Sequence, residues 1–144
     1  MSSVFTKIIQ GELPGRFVYR DETVAAFLTI EPVRYGHVLV VPIREVDKWT
    51  DLAEEEWLHL AGVAQRVGQT VLRSFDCQRA GTLIAGFEVP HTHIHVFPAD
   101  DMSGYSLGTA MSPDETDPQE MDRAAEALRA ALGTGEDGRP LAEA

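Results

Sequence analysis

The sequence of 144 residues has a single cysteine, Cys77, and no long hydrophobic run. One cysteine excludes an internal disulfide and a cysteine-rich zinc site. Apolar runs such as residues 38–41 are far shorter than the ~20 residues that a membrane-spanning helix needs. Since the first residues show no basic segment followed by an apolar one, we expect a cytoplasmic protein without a membrane partner.

Basic residues are also scarce, with 12 lysines and arginines against 23 aspartates and glutamates, for a net charge of −11. This charge repels the phosphates of DNA and RNA, so no nucleic-acid polymer is expected as a partner. A small anionic ligand is not excluded. The hydrophobic content of 44% and charged content of 24% are those of an ordinary globular domain, and the length suits one domain.

Periodicity predicts an α+β fold with a mainly antiparallel sheet. Five segments rich in β-forming residues predict strands: 16–20, 23–28, 37–41, 82–85 and 91–97. Three segments with a helical apolar period predict helices: about 4–9, 52–75 and 118–132. Asp51 is the predicted N-cap of the long helix, and Asp117 that of the last one. We expect one domain over residues 1–133, followed by a flexible acidic tail over 134–144.

Three of the five histidines alternate along one predicted strand, as His91, His93 and His95. Side chains alternate between the faces of a strand, so the three imidazoles are predicted on one face, about 7 Å apart. Imidazole titrates near neutral pH and can act as a nucleophile, an acid or base, a phosphate-binding donor or a metal ligand. Two alternatives are a solvent-facing strand that merely carries histidines and a His-x-His metal site, although no cysteine and no obvious carboxylate accompanies it.

The segment His91-Thr92-His93-Ile94-His95-Val96-Phe97 resembles the His-φ-His-φ-His-φ-φ signature of the histidine triad (HIT) family, where φ is apolar. Thr92 departs mildly from the signature. Four further segments resemble the family and occur in the same order as in the family: 4–14, 26–32, 36–42 and 85–90. The resemblance therefore covers about residues 4–98.

The resemblance implies a homodimer that binds a nucleoside monophosphate unit and breaks a bond at its α-phosphorus. His93 would be the nucleophile that forms a nucleotidyl-histidine intermediate. His91 and His95 would orient it, bind the phosphate and manage the leaving-group proton, with His37 as the accessory histidine. The predicted nucleotide-binding residues, most of them apolar and lining the base and ribose pocket, are Phe5, Ile8, Phe27, Thr29, Ile30 and Glu88.

Several positions depart from the family pattern. Ser3 and Thr6 replace a Cys-x-x-Cys pair that holds structural zinc in many members, so we expect no metal and no cofactor. Thr29 stands where many members carry an aspartate that binds both ribose hydroxyls, although Glu31 lies nearby. Phe87 replaces a glutamine, and Ala80 lies near the position of a phosphate-binding asparagine.

The function predicted from these residues is hydrolysis or transfer on a nucleoside 5′-phosphoramidate, with a purine favoured. The alternative within enzymes is a dinucleoside polyphosphate hydrolase, which shares the His93 chemistry but needs room for a second phosphate arm. The alternative of another class is a catalytically weak nucleotide-binding or interaction protein, because Thr29, Phe87 and Ala80 depart from the family.

Overall fold

The computed structural model describes residues 2–141 and has an α+β fold, as predicted. In this part of the chain, five strands form one sheet in the order β1-β2-β3-β5-β4, and every neighbouring pair is antiparallel. The strands are β1 (Phe17–Arg20), β2 (Val24–Leu28), β3 (Val38–Pro42), β4 (Arg79–Leu83) and β5 (Ile94–Ala99). The helices are α1 (Val4–Ile9), α2 (Glu54–Ser74) and α3 (Pro118–Leu132).

The central strands β2 and β3 are buried along their whole length because helices cover both faces of the sheet. On one face, Val38 and Val40 of β3 join the cluster formed with α2 and α3. On the other face, Leu39 and Val41 pack with Phe5 of α1. Apolar burial on both faces therefore fixes the register of β3 and brings the short helix α1 onto the sheet.

The N-terminus of α2 differs from the prediction of a cap at Asp51. Residues Trp49–Asp51 form a separate 3-10 turn, and Leu52 after it is extended, which prevents the turn from continuing into α2. Ala53 occupies the N-cap position instead, and its N–H donates to the Glu56 carboxylate at 3.2 Å. A carboxylate inside the first turn thus replaces the side chain of the predicted cap.

Helix α3 follows its predicted caps at both ends. The Asp117 carboxylate accepts from the Gln119 N–H at 2.9 Å, Pro118 is the first helical residue, and Gly133 ends the helix in the left-handed region with φ of 71°. Proline at the start and glycine at the end suit these positions because one lacks an N–H and the other tolerates positive φ.

The segment after α3 is attached to the domain over residues 134–141, in contrast with the predicted tail. The hydroxyl of Thr134 is buried and donates to the Val18 carbonyl of β1, and Thr134 also pairs with Pro140 in a short antiparallel bridge. The remainder of the predicted tail, residues 142–144, lies outside the described residues. Among helices in residues 2–141, none combines the length and hydropathy needed to cross a membrane.

Candidate active site

A cavity of about 1080 Å³ opens on the side of the sheet that carries α1. Three histidines line it, His37 before β3, His93 before β5 and His95 on β5. The six predicted nucleotide-binding residues line the same cavity: Phe5, Ile8, Phe27, Thr29, Ile30 and Glu88. Of the ten residues predicted for the site, only His91 is not part of this lining. Ala80 lies on β4 and packs on the opposite cluster with α2.

Of the triad only His95 lies on a regular strand, which corrects the predicted strand over residues 91–97, while Phe5 of α1 contacts the rings of both His91 and His93. Strand β5 begins at Ile94, and the residues before it are bound to the loop after β3. The N–H and hydroxyl of Thr92 both donate to the Val46 carbonyl, at 2.7 and 2.8 Å. The rings of His93 and His95 lie closer than predicted, with centroids 4.9 Å apart.

His91 is 0% exposed and both of its ring nitrogens are used inside the protein. Its Nε2 lies 2.7 Å from the Pro42 carbonyl, which can only accept, so Nε2 carries the proton. Its Nδ1 is therefore the acceptor for the Ser3 hydroxyl, at 2.7 Å. These contacts hold His91 away from the cavity, and they differ from the predicted role in binding phosphate.

The ring of His93 presents an unprotonated nitrogen to the cavity. Its Nδ1 lies 2.7 Å from the His91 carbonyl and must donate to it, because a carbonyl oxygen cannot donate. The neutral ring then has its lone pair on Nε2. Phe5 packs edge-on against the ring with centroids 4.8 Å apart, which restricts its rotation. His93 therefore has the tautomer that a nucleophile at Nε2 requires.

A second chain of hydrogen bonds fixes the tautomer of His95. The backbone N–H of Val33 donates to Nδ1 of His37 at 3.1 Å, so the proton of neutral His37 is on Nε2. This Nε2–H donates to Nδ1 of His95 at 2.9 Å. The proton of His95 is consequently on its own Nε2, where it can donate to a phosphoryl oxygen in the cavity.

The cavity histidines are neutral at pH 7. Burial, with smaller contributions from the neighbouring His95 and His93, lowers the pKa of His37 to about 3. Burial also lowers the pKa of His95 to about 4, with His93 adding to the shift. For His93 the pKa is lowered mainly by burial, against an opposing effect of the His91 carbonyl. Neutral rings are the forms that the two hydrogen-bond chains require.

The rim of the cavity is acidic and partly apolar. The carboxylates of Glu31, Glu88 and Asp122 line it, whereas Arg16 is the single cation in the described lining and is paired with Asp122 at 2.9 Å. Phe87 is 97% exposed at the cavity. An anion with several charges therefore finds no unpaired cation among these lining residues.

Thr29 has one hydroxyl group at the cavity. Its oxygen accepts from the Glu31 N–H at 3.1 Å, so the hydroxyl proton remains able to donate to a ligand. The predicted proximity of Glu31 is also found, because its side chain lines the same cavity.

Sequence reasoning missed the groups that set the tautomers. Ser3 entered it only as a replaced cysteine, and the carbonyls of Pro42 and His91 carry no side-chain signal. The Ser3 hydroxyl caps α1, and a serine directly before an apolar helical period is the signal that could have found it.

The positions of the family's structural zinc do not fit a metal here. Ser3 and Thr6 offer hydroxyls in place of thiolates, and Nε2 and Nδ1 of His91 are both used in hydrogen bonds. Within residues 2–141, no cluster of three or more His, Cys, Asp or Glu side chains could hold a metal ion.

The chain belongs to the histidine triad family, because the HIT domain model matches residues 10–102. An uncharacterized HIT-like protein of Methanocaldococcus jannaschii is 36% identical over 105 residues, which are 70% of this chain and 81% of that protein. The adenosine 5′-monophosphoramidase of Saccharomyces cerevisiae is 31% identical over 73% of this chain and 68% of its own.

Two further comparisons extend the likeness. The asymmetrical bis(5′-nucleosyl)-tetraphosphatase of Schizosaccharomyces pombe is 35% identical over 56% of this chain and 47% of its own. The crystal structure of a zinc-bound histidine triad family protein from Mycobacterium smegmatis superposes with a TM-score of 0.75 at 30% identity, covering 92% of this chain and 94% of that one. Nucleotide hydrolases are thus among the relatives of this chain.

Proposed function

We propose that the protein hydrolyses a nucleoside 5′-phosphoramidate at the α-phosphorus through a nucleotidyl intermediate on His93. The observation that carries this proposal is the pair of opposite tautomers in one cavity, with a lone pair on Nε2 of His93 and a proton on Nε2 of His95. A nucleophile and a donor for the phosphoryl oxygens therefore stand side by side, with ring centroids 4.9 Å apart.

The reaction divides into two displacements at phosphorus. In the first, the lone pair of His93 Nε2 forms an N–P bond while the bond from phosphorus to the amine breaks. The electron pair goes to the amine nitrogen, which takes a proton from water and leaves. In the second, a water oxygen attacks phosphorus, the N–P electron pair returns to Nε2, and the water protons pass to solvent. One water is consumed, and an amine and a nucleoside monophosphate are released.

His95 stabilises charge on the phosphoryl oxygens in both displacements. Its Nε2–H is aimed by His37 before the substrate binds, so little reorganisation is needed when negative charge builds up. His37 does not donate a proton to the substrate, because its Nε2–H already donates to Nδ1 of His95. His37 therefore acts as the residue that orients His95.

The apolar part of the cavity is the proposed site of the base. Phe5 and Phe27 pack edge-to-face with centroids 5.7 Å apart, and Ile8 lies beside them. These side chains offer contact area without charge, which suits a purine ring. Thr29 then lies where β2 ends, and we propose that its hydroxyl contacts the ribose.

The acidic rim favours a phosphoramidate over a polyphosphate. A leaving amine is neutral or positively charged, so Glu31 and Glu88 do not repel it, whereas a chain of phosphates would approach these carboxylates with several negative charges. The yeast relative named a monophosphoramidase supports the same choice.

The second candidate is a dinucleoside polyphosphate hydrolase. It is favoured by the cavity volume of about 1080 Å³, at the upper end of small-ligand pockets, and by the tetraphosphatase of Schizosaccharomyces pombe among the relatives. The third candidate is a catalytically weak nucleotide-binding protein. It is motivated by Phe87, which replaces a glutamine of the family pattern.

Initial rates with adenosine 5′-phosphoramidate and diadenosine tetraphosphate separate these functions. We expect kcat/KM to be at least tenfold higher for the phosphoramidate, His93→Ala to abolish turnover of both, and AMP binding by His93→Ala to stay within about tenfold of wild type. His59→Ala, which changes a histidine outside the cavity, is the matched control. Faster turnover of the tetraphosphate selects the second candidate, and tight AMP binding without turnover selects the third.

We also propose that the protein is a cytoplasmic homodimer. Much of the apolar surface of α2 is buried within the chain itself, including Leu60 and Val67. What remains is Leu58, 61% exposed, with Leu72 and the neighbouring Trp49 partly exposed. These side chains and the resemblance support a two-fold interface, and light scattering at micromolar concentration tests it. A monomer mass would reject it.

A further inference from the structure

A group of four polar residues joins the start of α1 to the triad. Ser3 and Thr6 lie on α1 or at its cap, Glu45 lies in the loop after β3, and His91 precedes β5. We call these four residues the polar clasp. None of them lines the cavity, and the nucleotide chemistry described above does not use their side chains directly.

The hydroxyl of Ser3 links the start of α1 to His91. Its oxygen accepts from the Thr6 N–H at 3.1 Å, which caps α1. Its proton goes to Nδ1 of His91 at 2.7 Å, because the Pro42 carbonyl already requires the His91 proton on Nε2. One buried hydroxyl thus satisfies the helix end and the first triad histidine together.

The Glu45 carboxylate holds Ser3 in place. Its Oε1 accepts from the Ser3 N–H at 2.6 Å and from the Thr6 hydroxyl at 2.8 Å. The first of these bonds, with the second adding to it, lowers the pKa of Glu45, so the carboxylate is ionised at neutral pH. Hydrogen bonds to a charged acceptor are stronger than neutral ones.

The clasp reaches the nucleophile through the backbone of His91. The carbonyl of His91 accepts from Nδ1–H of His93 at 2.7 Å and thereby sets the lone pair on Nε2 of His93. The His91 ring is held at both nitrogens, by Ser3 and by Pro42, so its backbone cannot rotate without breaking a buried hydrogen bond. If the His91 backbone could rotate, its carbonyl would no longer hold the ring of His93 in the orientation that points Nε2 into the cavity.

We infer that Ser3 and Glu45 are positioning residues that act through His91 to aim the nucleophile His93. The inference rests on the proposed function for its kinetic readout. It assigns a role in catalysis to two residues that never contact the substrate, one of them at the very start of the fold.

Ser3→Ala, with Ser3→Thr and Ser2→Ala beside it, tests the inference by steady-state kinetics with adenosine 5′-phosphoramidate. We expect kcat to fall about tenfold in Ser3→Ala with KM within threefold of wild type, since the loss of one hydrogen bond disturbs His93 and not the pocket. Ser3→Thr restores the hydroxyl and should restore kcat to within threefold. Ser2→Ala, an exposed neighbour, should match wild type.

Glu45→Ala is a second variant that keeps the serine hydroxyl and so covers the case in which Ser3→Ala fails to fold. We expect kcat to fall about threefold, with Asp47→Ala, another exposed carboxylate of the same loop, as the control. A rise in KM with unchanged kcat in either variant would overturn the inference, because the clasp would then only anchor α1 and its Phe5.

Imidazole ¹⁵N NMR of the free protein separates this inference from the proposed function, because it needs no turnover. Wild-type His93 should show the Nδ1–H tautomer alone, and Ser3→Ala should show a mixture of both tautomers. An unchanged His93 spectrum in Ser3→Ala would overturn the inference whatever the enzyme hydrolyses. Absence of phosphoramidate turnover in wild type, with the expected spectra, would overturn the proposed function alone.

Discussion

The hydrogen bond from His37 to His95 can be removed without removing the bond from Val33 to His37. In His37→Asn, the side-chain oxygen lies near the position of Nδ1 and can still accept from the Val33 N–H, but the side chain is too short to reach His95. In His37→Gln, the side-chain amide lies near the position of Nε2 and can still donate to His95, while the Val33 N–H loses its acceptor.

The two variants should lose similar stability and different amounts of activity. Each leaves one buried polar group without its partner, which costs about 1–3 kcal/mol, or roughly 3–10 °C in Tm for a domain of this size. Only His37→Asn removes the donor to Nδ1 of His95, which keeps the proton of His95 on Nε2. The hydrogen bond that aims His95 has a net energy of about 1–1.5 kcal/mol, and if that energy is lost from the stabilisation of the transition state, kcat falls roughly 5- to 12-fold, which is the loss we expect.

Thermal unfolding and steady-state kinetics with adenosine 5′-phosphoramidate measure both quantities in the same preparations. In His37→Gln, kcat should stay within threefold of wild type despite the lower Tm. Wild-type kcat in His37→Asn, or an equal loss of kcat in the two variants, would refute the reasoning that His37 sets the tautomer of His95.

Three further predictions concern the ribose, the pH and metal. Thr29→Asp should tighten AMP binding several-fold and raise the preference for AMP over 2′-deoxy-AMP, because a carboxylate can accept from both ribose hydroxyls and binds them about 1–2 kcal/mol more strongly than one hydroxyl does. Calorimetry that shows an unchanged ratio of AMP affinity to 2′-deoxy-AMP affinity would contradict the placement of the ribose. Because the pKa of His37 is about 3 and that of His95 about 4, both rings are neutral in the folded protein and protonated in the unfolded chain below pH 6.5. The contribution of these neutral rings to the free energy of unfolding is therefore fully present above pH 6.5 and should fall by about 1 kcal/mol per ring per pH unit towards pH 4. Denaturant unfolding should show a smaller pH dependence in His37→Asn. Chelation by EDTA should leave Tm and activity unchanged, and a stoichiometric, tightly held zinc in fresh protein would contradict the poor fit of Ser3 and Thr6 to a metal.

Features set by local sequence were predicted well. The caps of α3 follow from Asp117, Pro118 and Gly133 themselves, and the β1–β2 hairpin follows from two short runs of β-forming residues. The cavity lining was predicted largely through the resemblance, since a family motif fixes which residues face a ligand even where the local pattern does not.

Features set by contacts distant in sequence were not predicted. The start of β5 moves to Ile94 because Thr92 is bonded to Val46, which is 46 residues away and gives no signal beside the triad. The partners of His91, Ser3 and Pro42, are likewise distant in sequence. Alternation along a strand predicts side-chain direction only where both neighbouring strands continue, and β4 ends at Leu83, opposite His95.

The central claim is a covalent nucleotidyl intermediate on Nε2 of His93, and intact-mass spectrometry tests it most directly. Wild-type protein mixed with adenosine 5′-phosphoramidate and acid-quenched within milliseconds to seconds should gain the mass of one adenylyl group, and peptide mapping should place that group on His93. His93→Ala should gain none, while His59→Ala should gain as much as wild type. Turnover without any adduct across this time range, or an adduct on another residue, would contradict the claim.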